Sequence, residues 1–310
     1  MKRKNNRGYK ETVFEKEHVS LDDLKYKCFE NKYIRKNVPL LSIPVEFHVP
    51  KVTHVTDRRG LDGIIENGGF QVRCNGDPRA GKGYDFLWWS LFIGGQDIAR
   101  AERRFLEERF PNRTPAQASD QEPFLHRLAT SVAFQEGSRF GNFKFTFQLS
   151  DLLHEYSDQF CNGRKPTLRV FETVVYRQEI LYSVVVHHPH VYLFDEYPLL
   201  EDSSDSICAL RGYHFIWRAQ AISEPCKFFV MEDDRYNVVS IEEMPREEYY
   251  VWQNVALAFH LPVGDTLVFS HKQLLRKLSA CVHLVPKLSR GPWMKLKNAI
   301  KLVERLKSEQ

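Results

Sequence analysis

Two stretches of this chain hold side chains that could do chemistry together. In Val52-Thr-His-Val-Thr56, His54 and Thr56 alternate across Val55, so on a strand both point to one face. Two hydrogen-bonding groups side by side at a strand end, with a helix leading away, can form one wall of a ligand cleft. Far along the chain Glu172 opens the apolar run Glu172-Thr-Val-Val-Tyr176. Carboxylates are rarely buried without a reason, which makes this the most informative acid in the sequence. Glu179 lies just beyond it, outside that run. Between the two stretches, Gly81-Lys-Gly-Tyr84 leads into Leu87-Trp-Trp-Ser90, which supplies aromatic surface and a hydroxyl. The Gly81-Lys-Gly83 turn lacks the Gly-Lys-Ser/Thr ending of a nucleotide P-loop.

The elements that must position these groups follow from pattern. A strand ends in His54-Val55-Thr56, and Asp57 caps a helix that carries Leu61, Ile64 and Ile65 on one side and stops at Gly68-Gly69. A turn-rich loop, 75–83, enters a buried strand over Tyr84–Ile93. An amphipathic helix over Gln96–Phe110 turns Ile98, Ala101, Phe105 and Leu106 inward. Residues 111–123 read as a surface loop and Ser131–Gln135 as a short strand. Phe143, Phe145 and Phe147 alternate onto one strand face, and a capped helical turn follows at Ser150. Leu168–Tyr176 and Ile180–Val186 are β-rich. Helices are predicted over His271–Leu278 and Met294–Leu306, the second docking its apolar side on the body of the protein.

Composition narrows the function classes. Lys and Arg number 44 against 40 Asp and Glu, a formal charge of +4, which argues against a nucleic-acid binder held mainly by phosphate contacts while leaving room for a local basic patch. The six cysteines are scattered with no Cys-x-x-Cys pair, so reduced thiols are expected and a structural zinc site is not. His187-His-Pro-His190 lacks a convergent Cys or carboxylate set and reads as a loop; no metal site is expected. The basic tip, Met1-Lys-Arg-Lys, is not followed by an apolar segment and reads as a solubilising, disordered end. No apolar run reaches transmembrane length, so a cytoplasmic or nuclear protein is expected.

In order and rough spacing, His54-Val-Thr56, Asn67-Gly-Gly-Phe70, Gly81-Lys-Gly-Tyr-Asp-Phe86 and Glu172-Thr-Val-Val-Tyr176 resemble the ADP-ribosyltransferase superfamily, in its poly(ADP-ribose) polymerase-like branch. The resemblance covers about residues 45–192. It implies NAD as substrate and transfer of single ADP-ribose units to a macromolecule, a protein or a nucleic acid. Breaking the nicotinamide–ribose bond develops an oxocarbenium-like centre, which a nearby carboxylate stabilises. Glu172 takes that catalytic role by resemblance. His54 would bond the adenosine-side ribose, the backbone of Val55 and the hydroxyl of Thr56 the carboxamide. Tyr84 is the first candidate to stack on the nicotinamide, and Trp88 or Trp89 the second, in an alignment that uses Leu87-Trp-Trp-Ser90. The chain departs from the family where Val55 stands in place of Gly and where the tyrosine is displaced.

The implied fold is α+β: a split antiparallel β-sandwich core flanked by short helices, with an α/β C-terminal extension. Residues 1–40 form a partly disordered N-terminal extension, 41–194 the transferase-like domain, and 207–310 a C-terminal domain or extension of unknown function. The acidic, Ser-rich stretch near 195–207 marks the boundary. The alternative function is a catalytically inactive module of the same fold that binds a partner. A third is an RNA-end-modifying relative that uses NAD as phosphate acceptor.

Overall fold

A computed structural model describes residues 1–4, 8–28, 30–31, 34, 45–72, 86–123, 125, 131–177, 179–200, 206–211, 214–220, 227–232, 235–240, 252–284 and 294–309. Its strands are β1 (Lys2–Lys4), β2 (Lys10–Glu15), β3 (Val45–Val49), β4 (Lys51–Thr56), β5 (Gly69–Gln71), β6 (Phe86–Phe92), β7 (Phe143–Gln148), β8 (Thr167–Tyr176), β9 (Glu179–His187), β10 (Cys208–Arg211), β11 (His214–Ala219), β12 (Lys227–Glu232), β13 (Arg235–Ser240), β14 (Trp252–His260), β15 (Thr266–Val268) and β16 (Leu278–Ala280). The helices are α1 (Leu21–Lys27), α2 (Arg58–Glu66), α3 (Gly95–Arg109), α4 (Pro115–Asp120), α5 (Leu149–Phe160), α6 (His271–Lys277) and α7 (Leu296–Ser308).

Nine strands form one ladder in the order β1-β2-β8-β9-β14-β6-β4-β7-β16. All neighbours are antiparallel except β9 and β14, which run parallel. The protein is therefore mixed α/β with a large mixed sheet, compatible with α+β. Hydrogen bonding runs without a break across the main sheet, in place of the expected split into two antiparallel sheets. Parallel strands need both faces covered, and β9 and β14 accordingly read as nearly continuous buried runs. A smaller sheet, β10-β11-β3, is tied to α3, whose Arg104 donates to the Glu46 carbonyl at 2.8 Å.

The boundary expected near 195–207 does not divide the sheet. β14 and β16 come from beyond it, and β14 sits between β9 and β6 at the centre. The expected N-terminal extension likewise supplies β1, β2 and α1, with Ser20 capping α1 by accepting from Asp23 N. A six-residue helix, α4, occupies the predicted surface loop, started by reciprocal bonds between Thr114 and Gln117. A 3-10 turn replaces the predicted strand at 131–135: Ser131 accepts from Ala133 N and closes the chain before a strand can extend. The capped turn predicted at Ser150 grows into the twelve-residue α5.

The segment at the head of the core forms as its sequence predicts. Asp57 accepts from Gly60 N at 3.0 Å to start α2, which buries Leu61 and Ile64. The chain then leaves through Gly68, at φ +64°, into β5, which pairs with β15 and places Phe70 beneath the main sheet. No helix among the described residues is long and apolar enough to cross a membrane.

Candidate functional site

Register decides which of the candidate side chains can meet, because directly paired residues on neighbouring strands project to the same face. His54 pairs with Phe145 and Thr56 with Phe143, while Val52 pairs with Leu91 two places from Trp89. His54, Thr56 and Trp89 therefore share one face, the main core. There Phe70 is the hub, with ring centroids 5.2 Å from His54, 5.1 Å from Trp89 and 5.2 Å from Phe145. Trp89 is fully buried. His54 Nδ1 donates to the Trp88 carbonyl at 3.0 Å, and desolvation, only partly offset by that bond, lowers the pKa of its imidazole. The ring keeps some solvent-accessible surface but sits among aromatics as a neutral group.

Thr56 is held by two glycines. A Cβ at Gly60 would lie 1.8 Å from the Thr56 hydroxyl oxygen, and one at Gly141, where φ is +155°, would lie 2.0 Å from the Thr56 carbonyl oxygen. The hydroxyl thus points at the first turn of α2.

Glu172 belongs to the other face. Thr146 pairs with Thr53, Thr53 with Ser90, Ser90 with Ala256, Ala256 with Ser183, and Ser183 with Glu172. This row crosses six strands, five of its members small. Val55 and Trp88 lie on the same face, Trp88 against Phe86 at 5.6 Å. The cause of the placement is a bulge: register slips between Val170 and Glu172, leaving Phe171 as the extra residue. One inserted residue reverses the parity of all that follows, so Val170 faces the main core and Glu172 does not. Phe171 joins Phe86, Val185, Phe194, Tyr197 and Ala258 in a second apolar cluster on Glu172's side.

His54 and Glu172 therefore do not face one another, and β9, β14 and β6 lie between their strands. The residues assigned to NAD by resemblance divide into His54, Thr56 and Trp89 on one face and Val55, Trp88, Ser90 and Glu172 on the other. Among the described residues the sheet thus does not bring the side chains of His54 and Glu172 together. Tyr84 and the Gly81-Lys-Gly83 turn lie outside the described residues.

The carboxylate of Glu172 has a partner that the sequence reading missed. Arg3 donates from Nη1 to Oε2 and from Nη2 to Oε1, both at 3.0 Å, a fork-to-fork pair on a glutamate only 2 % exposed. Arg3 Nε also approaches Glu11 at 3.5 Å. Desolvation pulls the Arg3 pKa down, but the hydrogen bond and charge of Glu172 outweigh it and hold the guanidinium above its ordinary range. Nothing local in Met1-Lys-Arg-Lys signals this role; it is set by β2, which pairs with β1 on one side and with β8 on the other, so that Arg3 reaches across it to Glu172. Glu179, the nearby acid, is bound by Arg139 at 2.9 and 3.0 Å.

A second buried histidine is held by the fold. His187 is fully buried at the end of β9; its Nδ1 donates to the His188 carbonyl, its Nε2 accepts from Arg169, and burial lowers its pKa to about 4. Among the described residues no group of three or more His, Cys, Asp or Glu could hold a metal ion. Comparison with protein-family models, with curated proteins and with solved structures finds no match to this chain.

Proposed function

We propose that this chain is a binding or interaction module on an ADP-ribosyltransferase-like sheet, and that it does not turn over NAD. The resemblance in motif order argues for the family; the environment of Glu172 argues for the inactive member. The observation that carries the reading is the buried, two-pronged bond from Arg3 to the Glu172 carboxylate. A carboxylate already neutralised by a guanidinium offers a developing cation little stabilisation. Its position across the sheet from His54 points the same way. Val55, where the family has Gly, adds a side chain beside the backbone that would grip a carboxamide.

The test is incubation of the protein with labelled NAD, following nicotinamide release and label on protein or RNA, beside Glu172→Gln. The expected outcome is no release and no saturable NAD binding by calorimetry. Release that disappears in Glu172→Gln would overturn this reading and establish NAD-dependent transfer of single ADP-ribose units to a macromolecular acceptor.

A further inference from the structure

The near-balance of charge over the whole chain hides a division. Of its 44 Lys and Arg and 40 Asp and Glu, residues 271–310 hold ten and two, so this segment is cationic by eight and residues 1–270 are anionic by four. Two helices carry much of that charge, α6 and α7, which lie against each other and against β7 and β16 at one edge of the main sheet. Leu274 and Leu275 of α6 and Ala299, Leu302 and Val303 of α7 are buried in the main core, which turns the cationic sides of both helices outward. Lys277 and Arg305 pair with Asp151 and Glu309. Lys272, Arg276, Lys295, Lys297, Lys301 and Lys307 are exposed, and among the described residues none of the six has a carboxylate within ion-pair distance.

An ordinary solvated helix face mixes both signs, as α3 does with four acids and four arginines. α7 instead sets four cations against Glu304 alone, and it exposes apolar groups among them. Leu296 and Ile300, four residues apart, share one side of the helix, and Ile300, 41 % exposed, neighbours Lys297 three residues before it. Just beyond β16, Cys281 and His283 are buried while Val282 and Leu284 are about half exposed, so two aliphatic chains turn outward next to the strand on which α7 lies. Ser138 N donates to the Val282 carbonyl and Leu284 N to the Ser138 carbonyl, each at 2.8 Å, which fixes this segment beside 138–140, where Phe140 is exposed.

We propose that this edge of the molecule docks on the surface of an anionic phospholipid bilayer. The unpaired cations attract the headgroups, and Leu296, Ile300, Val282 and Leu284 enter the boundary between headgroups and acyl chains. Charge and apolar surface together favour this partner over a nucleic acid. Nucleic acids are met by arginine forks and stacking rings, whereas five of the six unpaired cations are lysines and the groups exposed beside them are mostly aliphatic. The protein lies on the bilayer by this surface, since no helix among the described residues is long and apolar enough to cross one. The surface sits at the opposite edge of the main sheet from the Arg3–Glu172 pair, so the inference stands whether or not NAD is turned over.

The test is cosedimentation of the full chain with phosphatidylcholine vesicles and with vesicles in which about a third of the lipid is phosphatidylserine. Binding is expected to the phosphatidylserine vesicles alone, and to weaken at least about tenfold when salt is raised from about 0.1 M to about 0.5 M. Each lysine near such a surface adds about fivefold in affinity, so Lys297→Gln/Lys301→Gln should weaken binding about twentyfold. Its Tm should match wild type, because both side chains are exposed and unpaired. Ile300→Ser should weaken binding about threefold while leaving its salt dependence unchanged. Lys2→Gln/Lys10→Gln, the same change of charge at the far edge of the sheet, should leave binding within about twofold of wild type. Equal losses in the two double variants would trace binding to net charge and overturn the proposal. So would absence of cosedimentation, equal binding to both kinds of vesicle, or binding of a single-stranded RNA, weakened in Lys297→Gln/Lys301→Gln, by protein that leaves the vesicles unbound.

Discussion

The two faces of the main sheet are built on different physics. Beneath His54 the core is aromatic and edge-on, with Phe70 touching His54, Trp89, Phe145, Phe147 and Phe269 at 5.1–6.0 Å. On the Glu172 side a row of Thr53, Ser90, Ala256 and Ser183 leads to a charge, and an arene cluster lies beside it. The first face is specified by shape and area. The second is specified by one pairing, without which its carboxylate would be costly to bury.

This difference can be broken from either side. The largest loss is expected from Phe70→Ala, which removes the hub ring and should destabilise the fold by about 4 kcal/mol in urea titrations. A change below about 1 kcal/mol would mean that the aromatic face repacks freely and is not shape-specified. Next comes Arg3→Met, expected to cost about 3 kcal/mol because it strands Glu172 in the interior. The double variant Arg3→Met/Glu172→Met should regain most of that loss; strictly additive losses would show that the two groups are not coupled. The smallest effect is expected at Ser183→Ala. Its hydroxyl is buried with no hydrogen-bond partner, so its removal should leave stability within about 1 kcal/mol of wild type and on the favourable side. A clear fall in Tm would mean that the polar row is a bonded network.

Local pattern was legible where local interactions decide. The cap at Asp57, the apolar side of α2, the Gly68 exit and the alternation of Phe143, Phe145 and Phe147 all form as the sequence predicts. In α3 the predicted inward positions Ala101, Phe105 and Leu106 are buried. What failed were statements about partners. Simple alternation cannot reveal a bulge at Phe171, because Val-Phe-Glu-Thr fits a strand with or without the slip, and the face of Glu172 depends on it. Arg3 was invisible as a partner because its acid lies 169 residues away and only the strand order brings them together. The pattern that placed His54 and Thr56 on one face was sound; it carried no information about which face Glu172 would take. Trp88 and Trp89 separate for the same elementary reason, adjacent residues on one strand looking opposite ways.

The central position of β14 has a consequence for how the chain is made. β6 ends at Phe92 and β9 at His187, but the strand that fits between them begins only at Trp252. On a ribosome adding ~5–20 residues per second, β6 waits roughly ten to thirty seconds for its neighbour. During that interval two hydrophobic strands present open hydrogen-bonding edges of the kind that recruit other chains. The sheet is sealed by the last third of the molecule, so a truncated or stalled product would expose its middle, and the nascent protein is a natural client for chaperones that shield strand edges.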